Sequence, residues 1–335
     1  MYRYINLFFV VFTLCLFAVE DMYIEPKVAI KMIDKSDVQF ISAQKSITLI
    51  KNSKIIDMQR FSSSNILGNN SCEPFYDCFS DLKKYFLDKN INKNQLLIFY
   101  DNSYGIYAAT LYSMLESLGY KKMLILNGGL RAILKIDPNQ KLYDKYKIEL
   151  DEFLKLISKD DNRTLEQEYE SKIINLRKKL LILKPYLLSN SNNIKSLDNS
   201  IYSRDKINRD YFLSKIELEN TVNKIRQNYE LNATVIDICP MVDTVGNEKG
   251  SYLAGVTVFS WKELIDKNKH RLKSKEELDI LFKKYKLNKS NSNYIYCMSG
   301  SPKALYMMTV MRYLGYEKVK AFTGDWNVWV GDIND

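Results

Sequence analysis

The sequence contains an internal repeat, which constrains its fold more than any other feature. Residues 296–303 align without a gap on residues 100–107 when the chain is shifted by 196 positions, and the match continues as far as Gly128 and Gly324. A period of this length is far longer than the roughly 20 to 50 residues of a solenoid unit and suits a duplicated domain. The 335 residues are therefore predicted to form two domains of one fold.

Each copy of the repeat predicts the same run of secondary structure: a strand, a tight loop, a helix and a second strand. In the second copy, residues 293–296 are aromatic and β-branched, and residues 303–314 carry apolar side chains at helical spacing. Gly315 follows where a left-handed residue commonly ends a helix, and residues 319–322 predict the second strand. The first copy repeats this pattern over residues 96–126. We therefore predict an α/β fold in which each domain has a mostly parallel central sheet flanked by helices.

The loop between the first strand and the helix is the predicted functional site, since the two copies differ there by a nucleophile. Cys297 in the second copy aligns with Asp101 in the first. Such a loop faces the helix N-terminus, where unpaired backbone N–H groups and the helix dipole stabilise an anion. A cysteine there has its thiolate favoured, so we predict that Cys297 is the catalytic nucleophile. The residues predicted to bind the anion through their backbone are Met298, Ser299, Gly300, Ser301 and Lys303.

These motifs resemble those of the tandem rhodanese family, the thiosulfate and 3-mercaptopyruvate sulfurtransferases. Cys297, Ser299 and Gly300 match the active-site loop of the mercaptopyruvate type, which reads Cys-Gly-Ser-Gly-Val-Thr-Ala. Residues 127–131 and 324–329 are similar to the two motifs that follow the last strand in the family's two domains. The resemblance implies two rhodanese-like domains, of which only the second carries the cysteine.

The resemblance, together with the apolar run at the N-terminus, predicts how the chain is divided. The segments are a signal peptide at residues 1–22, an inactive rhodanese-like domain at 38–137, a charged helical linker at 138–208 and the rhodanese-like domain with the active-site cysteine at 209–335.

Three local predictions follow from the pattern of apolar residues. Residues 38–41 predict a strand, which a helix follows to about Leu49. In the linker, apolar residues recur every three or four positions over residues 165–183, which predicts a helix ended by Pro185. That helix either packs back on the domains or binds a partner. Residues 189–200 are polar and predict a loop.

The chain departs from the family at the positions expected to bind substrate. Cys239 and Asp243 stand where the family has two arginines associated with its anionic substrate, and Lys249, Lys303 or backbone amides are expected to replace the lost charge. Asp237 is expected to hold the fold by hydrogen bonds. Cys239 is either a small buried apolar residue, as free cysteines often are, or a resolving thiol at the end of a neighbouring strand.

The resemblance implies sulfur transfer without a metal or cofactor. Cys297 is expected to take sulfur from thiosulfate or 3-mercaptopyruvate as a persulfide and to pass it to a thiol or cyanide acceptor. Its expected partners are thus a small anionic sulfur donor and a thiol acceptor. A catalytically weak or inactive binding module is an alternative, because the arginines are missing and Pro302 removes one N–H group. A cysteine phosphatase is a lesser alternative, because Lys303 lacks the bidentate fork of arginine.

The N-terminus predicts a targeting segment. Residues 7–19 form an uncharged run of 13 residues, which is shorter than the roughly 20 of a transmembrane helix and suits a signal peptide core. We expect the secretory pathway or an organelle reached through it, with the mitochondrion or cytoplasm as alternatives. Membrane contact is expected only through residues 5–19. Cys72 and Cys78 either form a disulfide in an oxidising compartment or stay as thiols.

Composition and spacing exclude several other function classes. The net charge is +9, yet the lysines are scattered and no basic run alternates with aromatics, so no nucleic-acid partner is expected. His270 is the only histidine and is predicted in a solvated turn, so a cysteine–histidine catalytic pair is not expected. No zinc-type spacing and no glycine-rich nucleotide loop is present in the sequence.

Overall fold

The computed structural model describes most of the chain between residues 22 and 324. The described residues are 22–46, 48–58, 86, 91–92, 94–137, 139–158, 164–183, 188–190, 208–227, 229, 232–242, 248–250, 253, 255–297 and 301–324. Cys72, Cys78 and residues 1–21 of the predicted signal peptide lie outside them. Within the described part, no helix has both the length and the apolar character needed to span a bilayer.

Each half of the chain forms a five-stranded parallel sheet. The first sheet consists of β1 Tyr23–Ile24, β2 Val38–Ser42, β4 Lys54–Ile55, β5 Leu96–Tyr100 and β6 Met123–Leu126. The second consists of β8 Phe212–Leu213, β9 Ala233–Asp237, β12 Thr257–Val258, β15 Ser292–Tyr296 and β16 Val319–Phe322. The strand orders are β1-β6-β5-β2-β4 and β12-β9-β15-β16-β8, so β5 and β15 are the central strands. The predicted α/β fold with two such domains is confirmed.

Helices and short antiparallel pairs surround the sheets. The helices are α1 Pro26–Ala29, α2 Ile106–Ser117, α3 Gly129–Ile136, α4 Gln140–Ile157, α5 Thr164–Ile182, α6 Lys215–Arg226, α7 Lys275–Lys284 and α8 Ser301–Tyr313. The antiparallel pairs are β3 Thr48–Ile50 with β7 Leu188–Asn190, β10 Met241–Val242 with β11 Glu248–Gly250, and β13 Ile265–Asp266 with β14 Arg271–Leu272. Ser214 caps α6 and Ser274 caps α7.

The sequence repeat is visible in the boundaries of the elements. The strands β5 and β15 begin and end at equivalent positions of the repeat, and so do β6 and β16. The central strands form because their side chains are buried, as Phe99 and Tyr100 are in β5 and Ile295 and Tyr296 in β15. Two glycines end α2 and α8 with left-handed backbone, at φ +94° for Gly119 and +84° for Gly315.

The two copies meet through α2 and α8. The guanidinium group of Arg312 donates two hydrogen bonds to the carboxylate of Glu116, at 2.5 and 2.8 Å. These residues are 196 positions apart, so they are equivalent positions of the repeat. A contact between equivalent positions indicates that the copies are related by an approximate two-fold axis here. Tyr23 of β1 adds a hydrogen bond of 2.9 Å to Thr309 of α8.

The linker is a pair of packed helices. The rings of Phe153 on α4 and Tyr169 on α5 lie 4.9 Å apart, and the ammonium group of Lys172 lies 4.8 Å from the centre of the Tyr169 ring. The predicted linker helix is confirmed as α5, and Ile173 and Leu176 of its apolar stripe are buried. The first linker helix, α4, was not predicted, although apolar residues recur every three or four positions over residues 143–157; none of its residues is buried.

Two local predictions are wrong. The helix expected up to about Leu49 is instead a turn followed by β3, because β3 pairs with β7 and the N–H group of Ile50 donates to the hydroxyl of Tyr100. Residues 189 and 190 belong to β7 and not to a loop, whereas the predicted loop from residue 191 onward lies outside the described residues.

Candidate active site

The candidate site lies at the carboxyl ends of two neighbouring strands of the second sheet. β9 and β15 pair in parallel through five residue pairs, of which Asp237 with Tyr296 is the last. Cys239 follows the end of β9, and Cys297 follows the end of β15. Helix α8 begins at Ser301. The carboxyl edge of a parallel sheet, facing a helix N-terminus, is where ligands commonly bind in α/β folds.

The structure joins the two cysteines of this edge in a disulfide bond. The Cα atoms of Cys239 and Cys297 are 5.1 Å apart, inside the usual range for disulfides. Cys297 is fully buried, whereas Cys239 is half-buried. Cys297 is therefore not a free thiolate in this state. Of the two interpretations of Cys239, the pairing contradicts the isolated apolar residue and is compatible with the resolving thiol.

Backbone hydrogen bonds fix the position of Cys239. Its N–H group donates to the carboxylate of Asp237 at 2.9 Å, and the N–H group of Ile238 donates to the carbonyl of Tyr296 at 3.3 Å. The N–H group of Trp261 donates to the carbonyl of Ile238 at 3.0 Å. Asp237 is fully buried, and its predicted structural role is confirmed by the bond to Cys239.

Lys303 brings a positive charge to the same edge. It lies in the first turn of α8 and is half-buried, with its ammonium nitrogen 6.0 Å from the centre of the Trp261 ring. Burial, and then the neighbouring charge of Lys262, lower the pKa of Lys303. A lysine held in this way can attract a small anion through its charge, while the aromatic ring helps to hold the ammonium group.

The other residues predicted to bind substrate are only partly described. Met298, Ser299 and Gly300 lie outside the described residues, and Ser301 is the first residue of α8. Lys249 lies on β11, which pairs with β10 just after Cys239 in the chain.

In the equivalent loop of the first copy, the carboxylate of Asp101 takes the place of a bound anion. The carboxylate of Asp101 accepts hydrogen bonds from the N–H groups of Ser103, Gly105, Tyr107 and Ala108 at 2.7 to 2.9 Å. Burial raises the pKa of Asp101, and the four donors oppose that change. The prediction that this type of loop gathers amide donors around an anion is thus confirmed for the first copy.

The same loop explains why Pro302 removes no donor of this kind. Pro302 is equivalent to Ile106, whose N–H group donates to the carbonyl of Ser103 and not to the Asp101 carboxylate. The four donors of the first copy correspond to residues 299, 301, 303 and 304, none of which is proline. A proline at residue 302 is therefore compatible with an anion-binding loop.

The first copy's loop is covered by the second half of the chain. His270 stacks on Tyr104 with ring centres 6.2 Å apart, and Asn127 accepts a hydrogen bond of 2.9 Å from the N–H group of Leu272. A Cβ atom on Gly129 would lie 2.1 Å from the carbonyl oxygen of Asp101, so only glycine fits there. His270 is in a turn as predicted, but its side chain is half-buried against Tyr104, which corrects the expectation of a solvated residue.

Among the described residues, no cluster of three or more histidine, cysteine or acidic side chains could hold a metal ion. The disulfide partner of Cys297 is the residue of this edge whose role sequence reasoning left undecided. Its signal was the place of Cys239 just beyond a strand predicted to lie in the same sheet as Cys297.

Comparisons with known proteins agree with this architecture. Residues 26–135 match the family model of the rhodanese-like domain. No curated protein sequence matches the chain. The 3-mercaptopyruvate sulfotransferase SseA from Escherichia coli has a solved structure with a TM-score of 0.57 and 16% identity, covering 91% of this chain and 99% of its own. The structure of a sub-stoichiometric sulfur transferase subunit of yeast mitochondrial complex I has a TM-score of 0.59 and 13% identity, and the match covers 92% of this chain and 95% of the subunit. The structure of the 3-mercaptopyruvate sulfurtransferase from Leishmania major has a TM-score of 0.54 and 10% identity, and the match covers 92% of this chain and 74% of that protein. At these identities the structural matches establish the fold.

Proposed function

We propose that this chain, a divergent protein of the tandem rhodanese fold whose first domain matches the rhodanese-like family model, is a sulfurtransferase that works through a persulfide on Cys297. The observation that carries the proposal is the position of Cys297 at the end of β15, before the N-terminus of α8. In the first copy the same position holds a carboxylate that receives four amide hydrogen bonds. A thiolate or a bound anion at Cys297 would gain from a similar set of donors.

The proposed reaction has two half-reactions. The Cys297 thiolate attacks the outer sulfur of thiosulfate and releases sulfite, or attacks the sulfur of 3-mercaptopyruvate and releases pyruvate after one protonation. In both cases the cysteine gains one sulfur atom and becomes a persulfide. A thiol or cyanide acceptor then removes that sulfur and regenerates the thiolate.

The disulfide places a condition on this reaction. Cys297 is bonded to Cys239, so a thiol reductant must first supply two electrons before the thiolate can form. We therefore assign the disulfide-bonded state to an oxidised, resting form. Lys303 is the proposed cation for the donor anion, because it is half-buried at this edge, and Lys249 is proposed as a second one.

A non-catalytic binding module remains the second candidate, and one observation favours it. Cys297 is fully buried in the disulfide, as a cysteine that only stabilises a fold would be. The two candidates differ in one respect that can be measured: only the enzyme accepts sulfur at Cys297 after reduction. The pattern of residues 1–22 still supports the secretory pathway as the proposed location.

The test is mass spectrometry of reduced protein after incubation with thiosulfate or 3-mercaptopyruvate. We expect a gain of about 32 Da, removable by reductant, on Cys297 of the Cys239→Ser variant and no such gain in Cys297→Ser. Circular dichroism of each variant verifies that it is folded. A folded, reduced Cys239→Ser protein that gains no sulfur from either donor refutes the sulfurtransferase and favours the binding module.

A further inference from the structure

We propose that Cys239 is a second catalytic cysteine, which attacks the persulfide on Cys297, releases hydrosulfide and forms the disulfide seen in the structure. This inference rests on the proposed function, because it names the first acceptor of the sulfur that Cys297 carries. It makes the acceptor a residue of the same chain, and it requires an external dithiol reductant to complete the cycle.

The first argument is that the sheet holds the two sulfur positions together. β9 and β15 are neighbours paired over five residues, and their register continues to the hydrogen bond between Ile238 and Tyr296. The bond from Cys239 to Asp237 fixes the backbone of Cys239 independently of the disulfide. The Cα separation of 5.1 Å is therefore set by the sheet. After reduction, the thiol of Cys239 stays within bonding distance of the Cys297 sulfur.

The second argument is the difference in burial between the two cysteines. Cys297 is fully buried in the disulfide state, whereas Cys239 is half-buried. A large dithiol reductant can thus reach the partly exposed residue Cys239 more readily than the buried Cys297. Attack on Cys239 expels Cys297 as a thiolate, which is the better leaving group near the N-terminus of α8. A small donor loads the inner cysteine, and a larger reductant meets the outer one.

The third argument is that the step balances without an added oxidant. The Cys239 thiolate attacks the inner sulfur of the Cys297 persulfide, the bond between the two persulfide sulfurs breaks, and hydrosulfide leaves with the electron pair. The persulfide is the oxidant, because its sulfane sulfur is reduced to hydrosulfide while the two cysteines are oxidised to a disulfide. A dithiol then reduces the disulfide by two exchange steps and becomes a disulfide itself.

The test uses the full chain carrying Cys15→Ser, Cys72→Ser and Cys78→Ser, so that Cys239 and Cys297 are the two cysteines left in the sequence. The protein is reduced, freed of reductant and kept without oxygen, which removes the other route to a disulfide. It is then loaded with one equivalent of 3-mercaptopyruvate, or with inorganic polysulfide, which can form a persulfide without specific recognition of the donor. Released sulfide is counted with 3-mercaptopyruvate alone, because polysulfide itself leaves sulfide when it transfers sulfur; with polysulfide the state of the cysteines is the readout. Released sulfide and the state of each cysteine are measured together, and Cys239→Ser in the same background is compared.

We expect about one sulfide per chain, together with a disulfide between Cys239 and Cys297, when Cys239 is present. We expect Cys239→Ser and Cys239→Ala to keep a persulfide on Cys297 and to release at least about tenfold less sulfide, with release restored by dithiothreitol. Dithiothreitol should also return the Cys239-containing protein to two thiols.

Three results would overturn the inference, and they separate its failure from that of the proposed function. A persulfide that persists on Cys297 although Cys239 is present refutes the resolving step and leaves sulfur transfer intact. Sulfur found on Cys239 instead of in solution shows transfer between the cysteines without disulfide formation, which also refutes it. Absence of sulfur on Cys297 in every folded variant, with both reagents, refutes the proposed function and the inference together.

Discussion

The disulfide between Cys239 and Cys297 should contribute a measurable part of the stability of the second domain. Its cysteines are 58 positions apart, and closing a loop of this size in the unfolded chain is worth about 4 kcal/mol in the chain-entropy model. Measured contributions are often smaller, so we expect reduction to lower the free energy of unfolding by about 2 to 4 kcal/mol. With a urea dependence of about 2 kcal/mol per molar, the unfolding midpoint should fall by roughly 1 to 2 M.

The assay is urea unfolding monitored by circular dichroism, with and without a phosphine reductant, in the Cys15→Ser/Cys72→Ser/Cys78→Ser background. Adding Cys239→Ser or Cys297→Ser should give proteins whose midpoints do not respond to reductant. Alkylation before and after reduction should reveal two additional thiols, which map to Cys239 and Cys297. An unchanged midpoint on reduction of the protein that keeps both cysteines would refute the reasoning. An equal response of the Cys239→Ser protein would do the same.

Three further perturbations test other parts of the structure. Arg312→Met should lower the free energy of unfolding by about 2 to 4 kcal/mol, because it leaves the carboxylate of Glu116, whose side chain is 17% exposed, without its partner. In urea unfolding, the exchanged pair Glu116→Arg/Arg312→Glu should recover part of that loss, and no recovery would refute the contact. Asp101→Asn should lower the free energy of unfolding by about 2 to 5 kcal/mol, since the amide oxygen replaces only one of the two carboxylate oxygens and can accept from two of the four N–H groups. Thermal melts that match the wild type would contradict this. Burial raises the pKa of Tyr100 to about 12, above its value near 10 in the unfolded chain. The contribution of the protonated Tyr100 hydroxyl to the free energy of unfolding is therefore fully present below pH 10 and is lost as the pH rises to about 12. The Tyr100→Phe variant should show a shallower loss of stability over that interval, and equal slopes would refute it.

The central strands could be predicted from the sequence, because their local pattern and their tertiary environment agree. β5, β6 and β16 have the predicted bounds, and β15 begins one residue early. Each is a short apolar run buried in a parallel sheet, so nothing in the fold opposes its intrinsic preference. The repeat added the information that both halves share one architecture, which no single strand could provide.

The errors arose where distant residues decide the local structure. The residues of β3 are strand only because β7, about 140 positions away, pairs with them and Tyr100 accepts a hydrogen bond from Ile50. Helix α4 is different, because its apolar residues Tyr143, Tyr146, Leu150, Phe153 and Ile157 do have helical spacing, so its sequence carried a signal that the prediction overlooked. Tertiary contact with Tyr104 also explains why His270 is less exposed than the charged run around it.

The place of Cys297 at a strand end could be predicted from the sequence, but its disulfide bond with Cys239 could not. The offset between the two copies located Cys297 at a strand end, and the resemblance located Cys239 on another strand. Their bond depends on the order of strands in the second sheet and on the register of β9 against β15. Neither is encoded locally, because parallel neighbours are joined by long crossovers. Sequence therefore left two interpretations of Cys239 open, and the disulfide excludes that of an unpaired apolar residue.

The pair Glu116 and Arg312 also bears on how the two domains recognise each other. At a two-fold axis, each position contacts its own equivalent. A symmetric dimer of the first domain alone would therefore place two Glu116 carboxylates together, and a symmetric dimer of the second domain would place two Arg312 guanidinium groups together. Like charges at such a contact are repulsive. Fusing the copies in one chain frees the two equivalents to diverge into opposite charges. The contact thereby favours association of unlike halves over self-association of either half.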